Sequence, residues 1–292
     1  MSWQKAEISD FIALEEFLIK HETECVAFSA WLKQKITSYS HIQKDFYIFL
    51  KKNKHNITEA VLITEYGLIC PIIKKRKLWH IHELYKLSKL IQNVHNRLNS
   101  IMGLTNRVDT IEKIIKKRIK ARVDYYLMYL NTNHSREIIC PNNNIKILRA
   151  KPSDTFKLFK IQKQYELEEV YMDPLLFNEN ASMVFFRNNL RKEIIFYVEK
   201  KGKPVAKAGT NARGYHVYQI GGVFTCAKER RKGTALRLMQ ELLNYIVNQN
   251  KNACLFVKTT NIAAINLYKK LGFTIIDNFR ISYFENQKQN NI

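Results

Sequence analysis

The stretch from Tyr215 to Asn250 leaves this chain little freedom. It opens as YHVYQIGGVFT, a strand with a Gly-Gly step, and passes through ERRKGTALRLM, three cations followed by Gly-Thr-Ala. It then continues as a helix whose apolar positions Leu236, Met239, Leu242, Leu243 and Ile246 share one face. A strand that feeds a long amphipathic helix through a basic glycine turn belongs to an α/β or α+β domain, because the helix must bury its stripe on a sheet. The first turn of any helix carries N–H groups without intrahelical partners, and the macrodipole adds positive character there. Gly233 and Ala235 present almost no side chain, and Arg230, Arg231 and Lys232 surround them with charge, so the spacing predicts a site for a phosphate. The same residues would also serve as a helix start with merely solvated cations. Neither G-x-G-x-x-G nor G-x-x-x-x-G-K-[ST] occurs here, which disfavours a dinucleotide fold and a nucleoside triphosphatase loop.

The flanking sequence extends the pattern. Upstream, PSDTFKLFKIQKQYELEEVYMDP reads as a helix capped by Ser153 or Asp154 with Pro174 beyond its end, and a shorter helix follows near Ala181 to Leu190. EIIFYVEKKGKPVAKAGTNA reads as a hairpin turning at Lys201-Gly202-Lys203-Pro204. Downstream come ACLFVKTT, a buried strand, NIAAINLYKKLGF, a helix closed by Gly272, and FTIIDNFRISYF, a last strand region. At 292 residues two domains are expected, and CPNNNIK (Cys140 to Lys146) is the natural boundary, giving domains over 1–140 and 145–292. In the first of these the order is helices (about Asp10 to Lys20 and Glu24 to Thr37), three strands, a helix from about Ile81 to Leu98, the strand SIMGL, a short basic helix capped by Asp109, and the strand VDYYLMYLN.

Two motifs in the second half resemble a known family. Arg230-x-x-Gly233-x-Ala235 after QIGGVFT is similar to the acyl-CoA pyrophosphate loop of the GNAT N-acetyltransferases, [QR]-x-x-G-x-[GA]. Asn261-x-x-Ala264-x-x-x-Tyr268-x-x-x-Gly272-Phe273 resembles the family's N-x-x-A-x-x-x-Y-x-x-x-G-F helix, and the two stand in the family's order, one helix and one strand apart. The resemblance implies a C-terminal GNAT fold, a mixed and mostly antiparallel sheet flanked by helices, and an N-terminal domain that is itself a degenerate GNAT-like unit. It implies acetyl-CoA as donor and a primary amine as acceptor. Val223, Phe224 and Thr225 would lie along the pantetheine arm, with the Val223 amide polarising the thioester carbonyl. Arg230, Arg231, Lys232, Gly233, Thr234 and Ala235 would hold the phosphates, Asn261 and Ala264 would border the arm, and Tyr268 would protonate the leaving sulfur. No acid occupies YQIGGVF, which offers Gln219 instead. The base is therefore sought in Glu168, Glu169 and Asp173, where the first helix of the domain meets its loop. Arg231 stands where many members have Gly and Ala227 where many have Pro, and neither is a required position.

Charge and cysteines set outer limits. Lys and Arg exceed Asp and Glu by 22, and both halves are basic, which suits polyanionic partners: a phosphorylated donor, or nucleic acid bound by a non-catalytic module on the same scaffold. Five scattered cysteines without a C-x-x-C pair argue against a disulfide framework or structural zinc, and His80 with His82 lack a third ligand, so no metal is expected. No apolar stretch approaches the ~20 residues needed to span a bilayer, and the start lacks a signal-peptide pattern. A cytoplasmic protein, monomeric or homodimeric, is the expectation.

Overall fold

The computed structural model describes residues 2–35, 46–54, 56–74, 84–94, 98–132, 146–171 and 173–285. His80, His82, Cys140, most of the CPNNNIK linker and the tail 286–292 lie outside them, as does the expected domain cut at 140–145. The chain forms two compact units that interleave in sequence. The first comprises Met1–Met128, Phe256–Asn261 and Ile275–Ile292, and the second Tyr129–Leu255 and Ile262–Thr274.

The N-terminal half runs β1 (Trp3–Lys5), α1 (Phe11–Lys20), α2 (Glu22–Lys35), β2 (Phe46–Asn53), β3 (Asn56–Thr64), β4 (Leu68–Ile72), α3 (Tyr85–Val94), β5 (Ser100–Leu104), α4 (Thr105–Ile115) and β6 (Ile119–Leu130). The C-terminal half runs β7 (Lys146–Arg149), α5 (Thr155–Tyr165), α6 (Glu179–Lys192), β8 (Ile195–Lys200), β9 (Lys203–Arg213), β10 (Val217–Thr225), α7 (Thr234–Asn248), β11 (Asn252–Lys258), α8 (Ile262–Lys270) and β12 (Thr274–Phe284). Among the described residues the two halves therefore repeat one order: strand, two helices, three strands, helix, strand, helix, strand.

The repeat extends to pairing. In the first unit the strands lie in the order β1-β2-β3-β4-β5-β12-β6, with β4 and β5 parallel and β12 antiparallel to β5 from Phe279↔Leu104 to Tyr283↔Ser100. In the second the order is β7-β8-β9-β10-β11, with β10 and β11 parallel and the other pairs antiparallel. Alternation along the strands divides the first unit's core between two faces. Val61 and Ile63 of β3 pack with Leu87 and Ile91 of α3 and Val108 and Ile111 of α4, whereas Ala60 and Leu62 pack with Leu14 and Leu18 of α1 and Leu32 of α2. In the second unit Leu158, Phe159 and Ile161 of α5 and Phe186 and Leu190 of α6 cover Ile195, Tyr197 and Phe224. The apolar stripe of α7, Leu238 to Ile246, is buried as its spacing requires.

Three local expectations are corrected. β1 was not foreseen, because three residues carry no readable period, yet its Trp3 is buried in the core. The helix expected to begin at Asp109 begins at Thr105, and Asp109 lies inside it, accepting from Arg280 Nη1 at 2.7 Å. That helix also stops at Lys116, a left-handed residue (φ 55°), because Ile119, Ala121 and Val123 alternate in burial with their neighbours and join β6. The β8–β9 turn falls on Lys201 and Gly202, with φ of 48° and 75°, the left-handed pair that a two-residue hairpin loop requires.

Candidate functional site

β10 pairs regularly with β11 up to Ile220, whereas its pairing with β9 shifts register twice, between Gln219 and Ile220 and between Gly221 and Phe224. Its parallel register with β11 runs from Val217↔Asn252 to Ile220↔Leu255, so the stretch from Gly221 onward has no β11 partner within its unit. On the other side Gly221 pairs with Gly209 and Phe224 with Lys207, so Gly222 and Val223 together face Ala208 alone. This is a β-bulge, and Gly222 takes a φ of 61°, which L side chains resist. A buried side chain holds the bulged glycine: Lys207 Nζ donates to its carbonyl at 2.9 Å.

Lys207 is only 4% exposed and lies 4.1 Å from the centre of the Tyr165 ring. Burial lowers its pKa to about 7, against the opposing pull of the nearby Glu166 carboxylate. Glu166 is itself buried and accepts from Gln162 Nε2 at 2.6 Å and Ser182 Oγ at 2.7 Å. Burial, then the charges of Glu169 and Glu166, push Tyr165 up to about 12, the Gly222 amide acting in the opposite sense. Tyr268 is buried on α8 with its ring 6.0 Å from Phe273. Burial raises its pKa, and the neighbouring Tyr165 and Glu169 add to the effect.

The loop after β10 turns through Ala227–Glu229 and reaches α7 by way of Arg231 (φ 62°) and Gly233 (φ 75°). Gly233 is the N-cap of α7, and no side chain caps the helix. A Cβ built on Gly233 would meet nothing within 4 Å, so the space beside the start of the helix is open there. Among the described residues the Thr234 hydroxyl and Arg237 Nε are shielded from solvent and without a hydrogen-bond partner. Uncapped amides, orphaned donors and an open approach fit a phosphate group. Arg230 donates through Nε to the Thr225 carbonyl at 2.9 Å and through Nη2 to Glu168 at 2.7 Å, and its guanidinium lies 5.5 Å from the Phe224 ring. Lys232 reaches Glu229 at 3.3 Å.

The remaining expected residues fall as follows. Val223 and Thr225 are half-buried at the bulge and Phe224 is core. Asn261 directly precedes α8 in sequence, its amide donating to the Lys258 carbonyl at 2.9 Å, and Ala264 is half-buried in the first turn of α8. Glu168 and Glu169 belong to a widened π turn, Glu166–Val170, that ends α5. Asp173 caps a turn by accepting from the Leu175 amide at 3.0 Å. Lys207, Tyr165 and Glu166 were not singled out from the sequence. The readable sign was a lysine enclosed by small and apolar residues in VAKAG, a run without alternation that suits a strand covered on both faces.

Residues 157–273 match the family model of the acetyltransferase (GNAT) family. No curated protein matches the sequence. Among solved structures, an acetyltransferase of the GNAT family from Colwellia psychrerythraea aligns over 98% of this chain and 100% of its own, at 13% identity and a TM-score of 0.58. A Drosophila protein aligns over 97% and 98%, at 10% identity and a TM-score of 0.70. A tandem GNAT protein from the clavulanic acid biosynthesis pathway aligns over 98% and 99%, at 8% identity and a TM-score of 0.58. At such identities the likeness is one of fold. Residues 157–273 are thus an acetyltransferase domain of the GNAT family, in a chain whose mixed α/β fold is shared along nearly its whole length with a tandem GNAT protein.

Proposed function

We propose that the second unit moves an acetyl group directly from the thioester of acetyl-CoA to a primary amine. The observation that carries this reading is the open, uncapped start of α7 at Gly233, placed in sequence directly after the bulged end of β10. The α7 amides, Thr234, Ala235 and Arg231 would hold the pyrophosphate. Arg230 and Lys232 contribute charge although both are already engaged with carboxylates. The bulge frees backbone groups at Val223, Phe224 and Thr225 for the pantetheine arm, and the motif assigns Asn261 and Ala264 to the same ligand. The Val223 N–H would stabilise the oxygen on which charge develops.

Tyr268 would return a proton to the departing sulfur. Its raised pKa keeps the phenol protonated at neutral pH, and burial of the sulfur favours the same transfer as charge builds there. For removal of the acceptor proton Glu169 is preferred to Glu168, because Glu169 acts electrostatically on both Tyr268 and Tyr165.

Screening primary amines for CoA release tests the chemistry. Tyr268→Phe should lower kcat by about 100-fold with donor affinity intact. Turnover unchanged across the pH range would remove the acid role. Glu169→Gln should abolish the basic group's limb of the pH profile while Glu168→Gln leaves it; the reverse pattern would exchange the two assignments.

A further inference from the structure

A lysine amine buried inside a sheet is costly, and Lys207 has a specific position to show for it. On β9 it pairs with Phe224, at the end of the bulge of β10, and its Nζ donates to the carbonyl of Gly222 at 2.9 Å. A Cβ added to Gly222 would stand 3.0 Å from that nitrogen, so glycine backbone and lysine amine occupy the space together. The centre of the half-buried Tyr165 ring lies 4.1 Å from the same nitrogen. The carbonyl of the bulged residue is thus fixed by a buried side chain, and the next amide along the strand is that of Val223.

We infer that Lys207 is a positioning residue: its amine sets the carbonyl of Gly222 and thereby aims the Val223 N–H at the acyl oxygen of the donor. This rests on the reading of β10 as the donor strand. The charged and titratable groups around the amine are Tyr165 and Glu166 from the end of α5 and Tyr197 across β8, with Glu169 and Tyr268 beyond Tyr165. Tyr165 and Tyr268 stay neutral through the physiological range, so Lys207 itself is the group whose charge changes there. An ammonium donates more strongly to a carbonyl than an amine does, so the bulge should tighten as pH falls through neutrality.

The test uses the full chain without ligand first. In amide NMR spectra recorded from pH 5.5 to 9, the Gly222 and Val223 resonances should shift with one midpoint near neutrality. That shift should vanish in Lys207→Met, and Lys207→Arg should hold the Val223 resonance near the low-pH position of the wild type at every pH. Calorimetric titration with acetyl-CoA and with CoA then separates the acyl contact from the phosphate contacts. Lys207→Met should weaken acetyl-CoA by about five-fold while changing CoA by less than about two-fold, and Lys207→Arg should recover most of the loss. Amides that ignore pH in the wild type, or acetyl-CoA affinity unchanged in Lys207→Met, would overturn the inference and leave the donor reading standing. If the wild type bound neither ligand, the donor reading would fall, and the amide titration alone would still decide whether Lys207 controls the bulge. A folded Lys207→Arg keeps the test decisive should Lys207→Met fail to fold.

Discussion

At the scale of the residue, Lys207 ties stability to pH. An unfolded lysine titrates near ~10.4, whereas the folded one titrates at about 7. Between those values the unfolded chain binds one more proton than the native chain, so stability rises with pH through this window. The cost of burying the amine is fully present below pH ~7 and is relieved as pH approaches ~10. Lys207→Met removes that cost and should be more stable than wild type by an amount on the order of a few kcal/mol at pH 6. The gap between their melting temperatures should close as pH is raised; a constant gap would mean that the amine is not desolvated. Gly222→Ala meets the same amine from the other side. Its left-handed φ and the 3.0 Å approach to Nζ should cost about 1–2 kcal/mol, read by denaturant unfolding.

At the scale of the element, the β8–β9 turn and the start of α7 place glycine in the same conformation with different consequences. Gly202 and Gly233 both have a φ of 75° and open space where a Cβ would go. Gly202→Ala should cost about 1 kcal/mol from backbone strain alone and leave donor binding unchanged; weakened binding in that variant would contradict the separate roles assigned to these turns. The elements of the second half were legible because their periods are distinct: two in the hairpin strands, 3.6 in α7, with Gly-rich turns between. The backbone of the proposed phosphate cradle was legible for the same reason, as the glycine turn and the helix start are contiguous from Arg230 to Ala235. The contents of the bulge were not. Gly221-Gly222 announced an irregularity, but which residue of β9 faces it depends on a register shift, and register is set by pairing between segments distant in sequence. The α4–β6 boundary was illegible because KKRIKAR suits a basic helix by propensity. Packing of Ile119, Ala121 and Val123 at period two decides otherwise.

At the scale of the whole molecule, the two halves repeat one order of elements, yet the compact units do not follow a single cut in the sequence. β12 closes the C-terminal half in sequence and lies in the first unit between β5 and β6. A chain ending at Thr274 should therefore lose the first unit's cooperative unfolding and aggregate through the bared edge of β5; a melt and elution profile like those of the full chain would contradict this. The net charge of +22 also belongs to this scale. Filter binding should show nucleic acid retained at low salt and released at near-physiological salt without sequence preference, the behaviour of nonspecific charge. Sequence-selective retention at that salt would favour the non-catalytic nucleic-acid reading. The central claim is donor binding at the start of α7, and calorimetric titration of acetyl-CoA into the wild type and Gly233→Glu tests it most directly. Saturable binding in the wild type, abolished when a carboxylate fills the open space at Gly233, is the expected result. No binding at millimolar donor, or equal binding in both proteins, would contradict it.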